Sequence, residues 1–362
     1  MTTLRVHREP IRSDIHVAPG LLREAGALLR MHREGGRVLL VTDRKVMRLY
    51  GATVRASLLR AGFDVVTSVL PQGERAKSLA VVRSLYRMWA VRGVDRGAVV
   101  VALGGGVVSD VAGFAAASYA RGLDWVALPT TLLAQADASV GGKVGVNLEE
   151  GKNLVGAYHH PRGVYSDPDV LATLTPRAFR SGLAEVVKMG VIRRPGLLAR
   201  VEGLARAGRL RDGTALTPLI RAAVSEKART VAVDERDLGI RRDLNFGHTV
   251  GHALETAYGY RRYLHGEAIS VGMVAALRMS VLEVRLPERD ALRVEALIRS
   301  LGLPTRLCER PSPRFWRALE RDKKRGRMGV RVVLSPAIGA AKVFDLPTLT
   351  SLRGVLLDLV EP

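Results

Sequence analysis

Four runs in the first half of the chain read as strands: Arg37–Asp43, which is apolar on consecutive positions and ends in a polar turn, then Phe63–Leu70, Ala98–Leu103 and Trp125–Thr130. Runs of that length without alternation predict strands buried on both faces. Between the second and third, Leu79, Val82, Leu85, Tyr86 and Trp89 recur at helical spacing, predicting a helix over 76–92. Strands separated by helices predict a parallel sheet covered by helices. From about Thr175 the texture changes. Ala178–Val191, Ala215–Val233, Thr249–Ala257, Ala268–Val284 and Arg289–Leu301 carry apolar residues at helical spacing, with Pro287 and Pro304 as punctuation. The expected architecture is an α/β N-terminal domain with a parallel sheet over 1–170 and an all-helical C-terminal domain over 171–362.

Composition narrows the class. The chain has 362 residues, 47% hydrophobic and 25% charged, which suits an ordinary globular protein. No apolar run of membrane-spanning length occurs, and the first residues lack the apolar core of a secretory signal. The single cysteine, Cys308, forms no internal disulfide and fits a reducing cytosol, so a cytoplasmic location is expected. A formal charge of +21 raises the possibility of nucleic-acid binding. The arginines are scattered and aromatic residues make up only 5%, so the charge reads instead as attraction of an anionic substrate in an arginine-rich chain.

The third strand runs into Gly104-Gly105-Gly106 and then Val107-Val108-Ser109-Asp110. A glycine turn opening a helix admits a pyrophosphate to backbone N–H groups, although this one lacks the dinucleotide fingerprint spacing. Asp43 ends an earlier strand, where a carboxylate can accept from ribose hydroxyls, and Thr130-Thr131 follows the fourth. Glu185, His248, His252 and His265 are candidate metal ligands. His248 and His252 stand four apart on one helix face, but spacing does not decide which two histidines ligate. A Glu/His/His set leaves one position open, as catalytic zinc does. Lys143 follows two glycines and Lys152 follows another, in company that favours a phosphate or carboxylate partner.

Taken together, Gly104–Asp110, Pro129–Gln135, Ser139–Lys143, Gly151–Leu154, Gly182–Lys188, Asn245–Thr249 and His265–Ala268 resemble the 3-dehydroquinate synthase family of sugar phosphate cyclases, in order and rough spacing, over about residues 35–345. Ser109 replaces a usual glycine and Phe246 a commoner leucine, and the stretch from His252 to His265 runs a residue longer than in some relatives. The resemblance makes the α/β N-terminal domain a nucleotide-binding domain and implies NAD and Zn2+ or Co2+ as cofactors, with Glu185, His248 and His265 as ligands and His252 as a non-ligand site histidine. It implies NAD contacts from Asp43, Glu74, Lys77, Gly105, Gly106, Val107, Asp110, Thr130, Thr131, Leu133, Lys143, Lys152 and Thr173. Substrate contacts would come from Asp137, Lys143, Lys152, Asn153, Lys188, Lys227, Arg241, Asn245, His252 and Lys323. Arg121 would bind phosphate across a homodimer interface. The implied reaction cyclises a small phosphorylated sugar acid with loss of phosphate. Another cyclase of the superfamily, or a metal-dependent polyol dehydrogenase, is the alternative. Neither nucleic acid nor membrane is an expected partner.

Overall fold

The computed structural model describes residues 13–323, 330–346 and 348–361, with side chains of 321–323 excluded. The chain divides into two compact units. The first comprises described residues 13–16, 21–129 and 140–166, and the second 17–20, 130–139 and 167 onward.

Six strands form the sheet of the first unit: β1 (Asp14–Val17), β2 (Gly36–Asp43), β3 (Phe63–Leu70), β4 (Val99–Gly104), β5 (Asp124–Pro129) and β8 (Gly163–Ser166). Their spatial order is β1-β8-β5-β4-β2-β3, with parallel pairing of β2 to β3 and β4, of β4 to β5 and of β5 to β8. Leu39, Val41, Val100 and Ala102 are fully buried in the middle of the sheet, as uninterrupted apolar runs require. Helix α1 (Leu79–Val91) is capped by Ser78 and buries Val82, Leu85 and Trp89. Leu79 is exposed because the helix begins there, three residues later than the periodicity indicates.

Strand β4 passes directly into α2 (Gly106–Ser118). From β2 the chain moves outward to β3, while β4, β5 and β8 extend in the opposite direction. The β2/β4 boundary is therefore the switch point of the sheet, the usual crevice for a ligand in this architecture. Asp43 and Gly104–Gly106 stand at the carboxyl ends of those two strands. Between β5 and β8 lies a hairpin not anticipated from the sequence, β6 (Lys143–Leu148) with β7 (Gly151–Tyr158).

The second unit is largely helical. It contains α3 (Pro176–Ile192), α4 (Gly213–Val233), α5 (His248–Ala257) and α6 (His265–Val284), with further helices at Pro195–Arg206, Glu288–Ser300, Pro313–Lys323 and Thr350–Asp358. One antiparallel hairpin, β9 (Val330–Ala337) with β10 (Ala340–Leu346), corrects the all-helical expectation. Its first strand buries Val330, Val332, Val333 and Leu334, and β-branched residues favour that extended surface. Every residue of helix α3 from Ser181 to Ile192 is buried.

Candidate active site

The second unit is assembled around backbone-to-backbone contacts. A β-carbon on Gly266 would lie 1.8 Å from the Ser181 carbonyl oxygen, and one on Gly272 would lie 1.9 Å from that of Gly247. Helix α6 can therefore lie directly against α3 and the start of α5. Its first turn is then pinned: Gly266 N–H donates to Ser181 Oγ at 3.0 Å, and Arg177 makes two 2.7 Å bonds to the Glu267 carboxylate. Glu267 also accepts from Leu264 N–H, half of a capping box. Gly266→Ala is expected to cost at least about 1–3 kcal/mol and to weaken metal binding by displacing His265. Urea unfolding and metal titration of that variant would check both effects.

This packing brings three side chains together. Glu185 on α3 places Oε1 3.8 Å from His248 Nε2 and 3.5 Å from His265 Nε2. All three ligand atoms lie within 4.8 Å of one another. Tetrahedral ligands about 2.1 Å from a zinc ion stand about 3.4 Å apart, so the separations suit a cation of that size. His248 Nδ1 is 3.1 Å from the Phe246 carbonyl, and donation there leaves Nε2 with its lone pair toward Glu185. His265 Nδ1 faces the Glu255 carboxylate at 3.4 and 3.5 Å, which orients the ring with Nε2 toward Glu185.

Electrostatics agree with a cation-binding role. Glu185 is 1% exposed, and Lys188 Nζ forms an ion pair with its Oε2. Burial alone would raise the Glu185 carboxyl, but Lys188, His265 and His248 outweigh it and hold it well below the usual carboxylate range. Burial, reinforced by Lys188, pushes His248 well below its ordinary value, leaving a neutral ligand. His265 goes the other way: burial disfavours its charge, but Glu185 and Glu255 together raise it to about 9. A metal ion entering the site displaces that proton.

Around this cluster lie cations and hydrogen-bonding groups. Lys188 is 2% exposed, and Lys227 donates to Asp137 Oδ1 at 2.9 Å and to the Asp137 carbonyl at 2.7 Å. Arg241 is buried and is held by Asp234 and by the Glu235 carbonyl. Asn245 ends the preceding turn and is half-buried. His252 is exposed beside the cluster, its ring 5.2 Å from that of His248 and 6.3 Å from that of His265. Burial lowers the Lys227 pKa, Asp137 only partly restores it, and Lys188 and Arg241 oppose its charge. The unfolded chain then binds more protons than the folded one below the free lysine value of about 10.4. This group's contribution to stability rises with pH from its depressed value up to that point. The urea-unfolding free energy of the wild type minus that of Lys227→Met is expected to rise with pH across that range; a difference independent of pH would contradict the assignment.

The remaining sequence candidates fall in both units. In the first, Asp43 Oδ1 accepts from Lys45 and Val46 N–H and caps the helical segment 44–60. Gly105 is the N-cap of α2, so Gly106, Val107 and Val108 present N–H groups with no partner inside the helix, and the first helical bond runs from Ser109 N–H to the Gly105 carbonyl at 3.1 Å. A 580 Å³ cavity beyond the ends of β2 and β3 is lined by Arg44, Leu70, Gln72 and Arg75. Lys77 Nζ bonds Asp110 at 2.5 Å and Asn153 at 2.6 Å, and Lys152 pairs with Glu74 at 3.5 Å. Arg121 is exposed in a left-handed conformation (φ 69°) directly after Ala120 (φ 50°), and Lys143 is exposed at the start of β6. Thr130, Thr131, Leu133 and Thr173 belong to the second unit. There Thr131 Oγ1 accepts from Ala134 N–H, and Thr173 donates to the Val170 carbonyl. Lys323 closes its helix, and its side chain lies outside the described residues, as does Lys324.

Sequence reasoning passes over Glu255. This carboxylate is 4% exposed, an unusual burial for an acid. It stands seven residues after His248 and three after His252, on the same stripe of α5, and that spacing is the available signal.

Comparison with known proteins adds a third kind of observation. The family model for the 3-dehydroquinate synthase N-terminal region matches residues 67–181, and the C-terminal one matches 182–325. A 3-dehydroquinate synthase from Citrifermentans bemidjiense is 43% identical over 356 residues, 98% of this chain and 97% of that protein. Among solved structures, 2-epi-5-epi-valiolone synthase from Streptomyces hygroscopicus subsp. jinggangensis, with NAD+ and Zn2+ bound, superposes with a TM-score of 0.89 at 31% identity over 99% of both chains. A 2-deoxy-scyllo-inosose synthase complexed with carbaglucose-6-phosphate, NAD+ and Co2+ does so at 0.84 and 26% identity over 96% of both.

Proposed function

The chain belongs to the 3-dehydroquinate synthase family, and from that premise we propose that it converts 3-deoxy-D-arabino-heptulosonate 7-phosphate into 3-dehydroquinate and phosphate. The observation that carries this reading is the meeting of Glu185, His248 and His265 within reach of one cation, beside the buried cations Lys188, Lys227 and Arg241. That combination suits a substrate with both a metal-polarised hydroxyl and a carboxylate.

Glu185 and the two Nε2 atoms would hold a divalent ion, and Asp43 with the N-terminus of α2 would hold NAD. When bound, these groups supply reversible hydride transfer and polarisation of a substrate oxygen. Every other contribution comes from side chains. Lys188, Lys227, Arg241 and Asn245 clamp the carboxylate and ring hydroxyls, with Asp137 orienting Lys227. His252, exposed beside the ligands, is placed to pass protons to solvent. Lys143, Lys152, Asn153 and Lys323 hold the phosphate end, and Arg121 adds to it from the partner protomer of a homodimer. Oxidation, elimination, re-reduction and aldol closure all act on one bound molecule, so holding a single orientation is the main catalytic task. Leaving phosphate can supply its own basic oxygen, and no separate carboxylate base is required. The same reading makes this a cytoplasmic carbon–oxygen lyase; no described helix is long and apolar enough to cross a membrane.

Arg121→Ala is expected to raise KM for the sugar phosphate while leaving NAD affinity unchanged; an effect confined to NAD would contradict the role given to it. The substrate itself is tested by comparing the heptulosonate phosphate with a heptulose phosphate lacking the carboxylate. Because buried cations left unpaired reject such an analogue, kcat/KM should fall by roughly 10⁴-fold. Equal turnover of the two would assign the chain to a different cyclase activity.

A further inference from the structure

Asn147 has no assigned part in the reaction, yet it occupies an unusual place in the first unit. Strand β6 pairs regularly with β7 from Lys143↔Tyr158 to Val146↔Val155, and then the register shifts before Leu148↔Gly151. Asn147 alone on β6 thus faces Lys152, Asn153 and Leu154 on β7. The two extra residues stand on β7, and Asn147 opposite them is left with polar groups outside the regular ladder.

Those groups all go to one neighbouring segment and one turn. Asn147 N–H donates to the Lys77 carbonyl at 3.0 Å, and its side-chain amide donates to Glu74 Oε1 at 2.8 Å. Its side-chain carbonyl accepts from Asn153 N–H at 3.0 Å. Asn153 is a non-glycine residue in the left-handed region (φ 54°), so its conformation is strained and depends on its partners. The second partner is Lys77, whose ammonium bonds Asn153 Oδ1 and Asp110 together. Lys152 returns to the same Glu74 carboxylate. One closed circuit therefore joins Glu74, Lys77 and Asp110 to Lys152 and Asn153.

We propose that Asn147 is a positioning residue that ties the dinucleotide-contacting segment 74–77 to the turn presenting Lys152 and Asn153, so that NAD and a phosphoryl group bind cooperatively. The inference rests on the functional reading above, with Glu74, Lys77 and Asp110 as NAD contacts implied by the family resemblance, Asn153 as a phosphate contact, and Lys152 shared between the two. A ligand that fixes 74–77 also holds Asn153 in its strained conformation. The second ligand then meets a turn already ordered and binds more tightly. By linkage the enhancement is equal in both directions.

The test is the NAD dissociation constant of the zinc-loaded full chain, measured with and without saturating inorganic phosphate. In the wild type, phosphate should tighten NAD binding about fivefold or more, the lower end of ordinary coupling between sites. In Asn147→Ala that factor should fall to about one, with zinc stoichiometry and unfolding temperature unchanged. Asn147→Asp guards against a packing defect. It keeps the size and the acceptor for Asn153 but replaces the donor to Glu74 with a like charge, and it should lose the coupling as well. Wild-type binding of NAD that is indifferent to phosphate would overturn the inference and leave the functional reading intact. Coupling retained in the alanine variant would also overturn it. Failure of the wild type to bind NAD at all would remove the functional reading, and this inference with it.

Discussion

Replacing His265 with alanine is expected to abolish turnover and to lower divalent-metal affinity by more than the roughly 10–100-fold that loss of an outer partner costs. The variant deletes one of the two imidazole nitrogens that approach Glu185 Oε1, and among the described residues no further imidazole belongs to that ligand group. His252 is in the wrong place, its ring 6.3 Å from that of His265 and exposed. Glu255→Gln provides the comparison. It keeps the ligand but weakens the acceptor at His265 Nδ1, so affinity should fall only within that 10–100-fold range. Metal titration against a chromophoric chelator measures both without reference to activity. An alanine variant that keeps full metal and full turnover would remove His265 from the ligand set.

Lys188→Met is expected to make folding depend on metal. Glu185 is buried and charged, and in the metal-free chain Lys188 is its strongest counter-charge. Removing one member of such a pair costs about 3–5 kcal/mol, because a carboxylate is left uncompensated out of water. A bound divalent cation supplies the missing charge, so much of the loss should return on adding zinc. Chelator should therefore lower the unfolding midpoint of Lys188→Met far more than that of the wild type. Similar midpoint shifts in both proteins would mean that Lys188 does not neutralise Glu185.

Most elements that position the site are legible in the amino-acid sequence. Strands β2, β4 and β5 announce themselves because a sheet covered on both faces needs apolar residues at nearly every position, and Val38–Val41 and Val99–Leu103 are such runs, whereas the edge strand β3 alternates. Helices α3 to α6 are legible through periodicity, within about three residues at each end. The β6–β7 hairpin is not. Gly141, Gly142, Gly145, Gly151 and Gly156 give the stretch little strand signal, yet Gly145 and Gly156 are paired across the ladder. Hairpin β9–β10 is hidden because it follows an arginine- and lysine-rich stretch in an otherwise helical half.

The site is legible as a set of residue types rather than as a geometry. Spacing singles out His248 and His252 on one helix, but the two imidazoles facing Glu185 come from different helices, α5 and α6. Their meeting depends on Gly266 and Gly272, whose role emerges only when the opposing carbonyls are known. Glu255 and Asn147 are inconspicuous for a related reason. An acid or an amide in a polar stretch reads as surface, and only burial or a broken strand register shows otherwise.

At the centre of this account, one cation and one recycled dinucleotide act on a single bound sugar phosphate. Phosphate release from the heptulosonate phosphate, with absorbance of reduced nicotinamide followed throughout, tests that directly. The expected result is release that stops on chelation, resumes with zinc or cobalt, and proceeds without net accumulation of NADH. Release indifferent to chelator, or NADH rising in step with turnover, would contradict it.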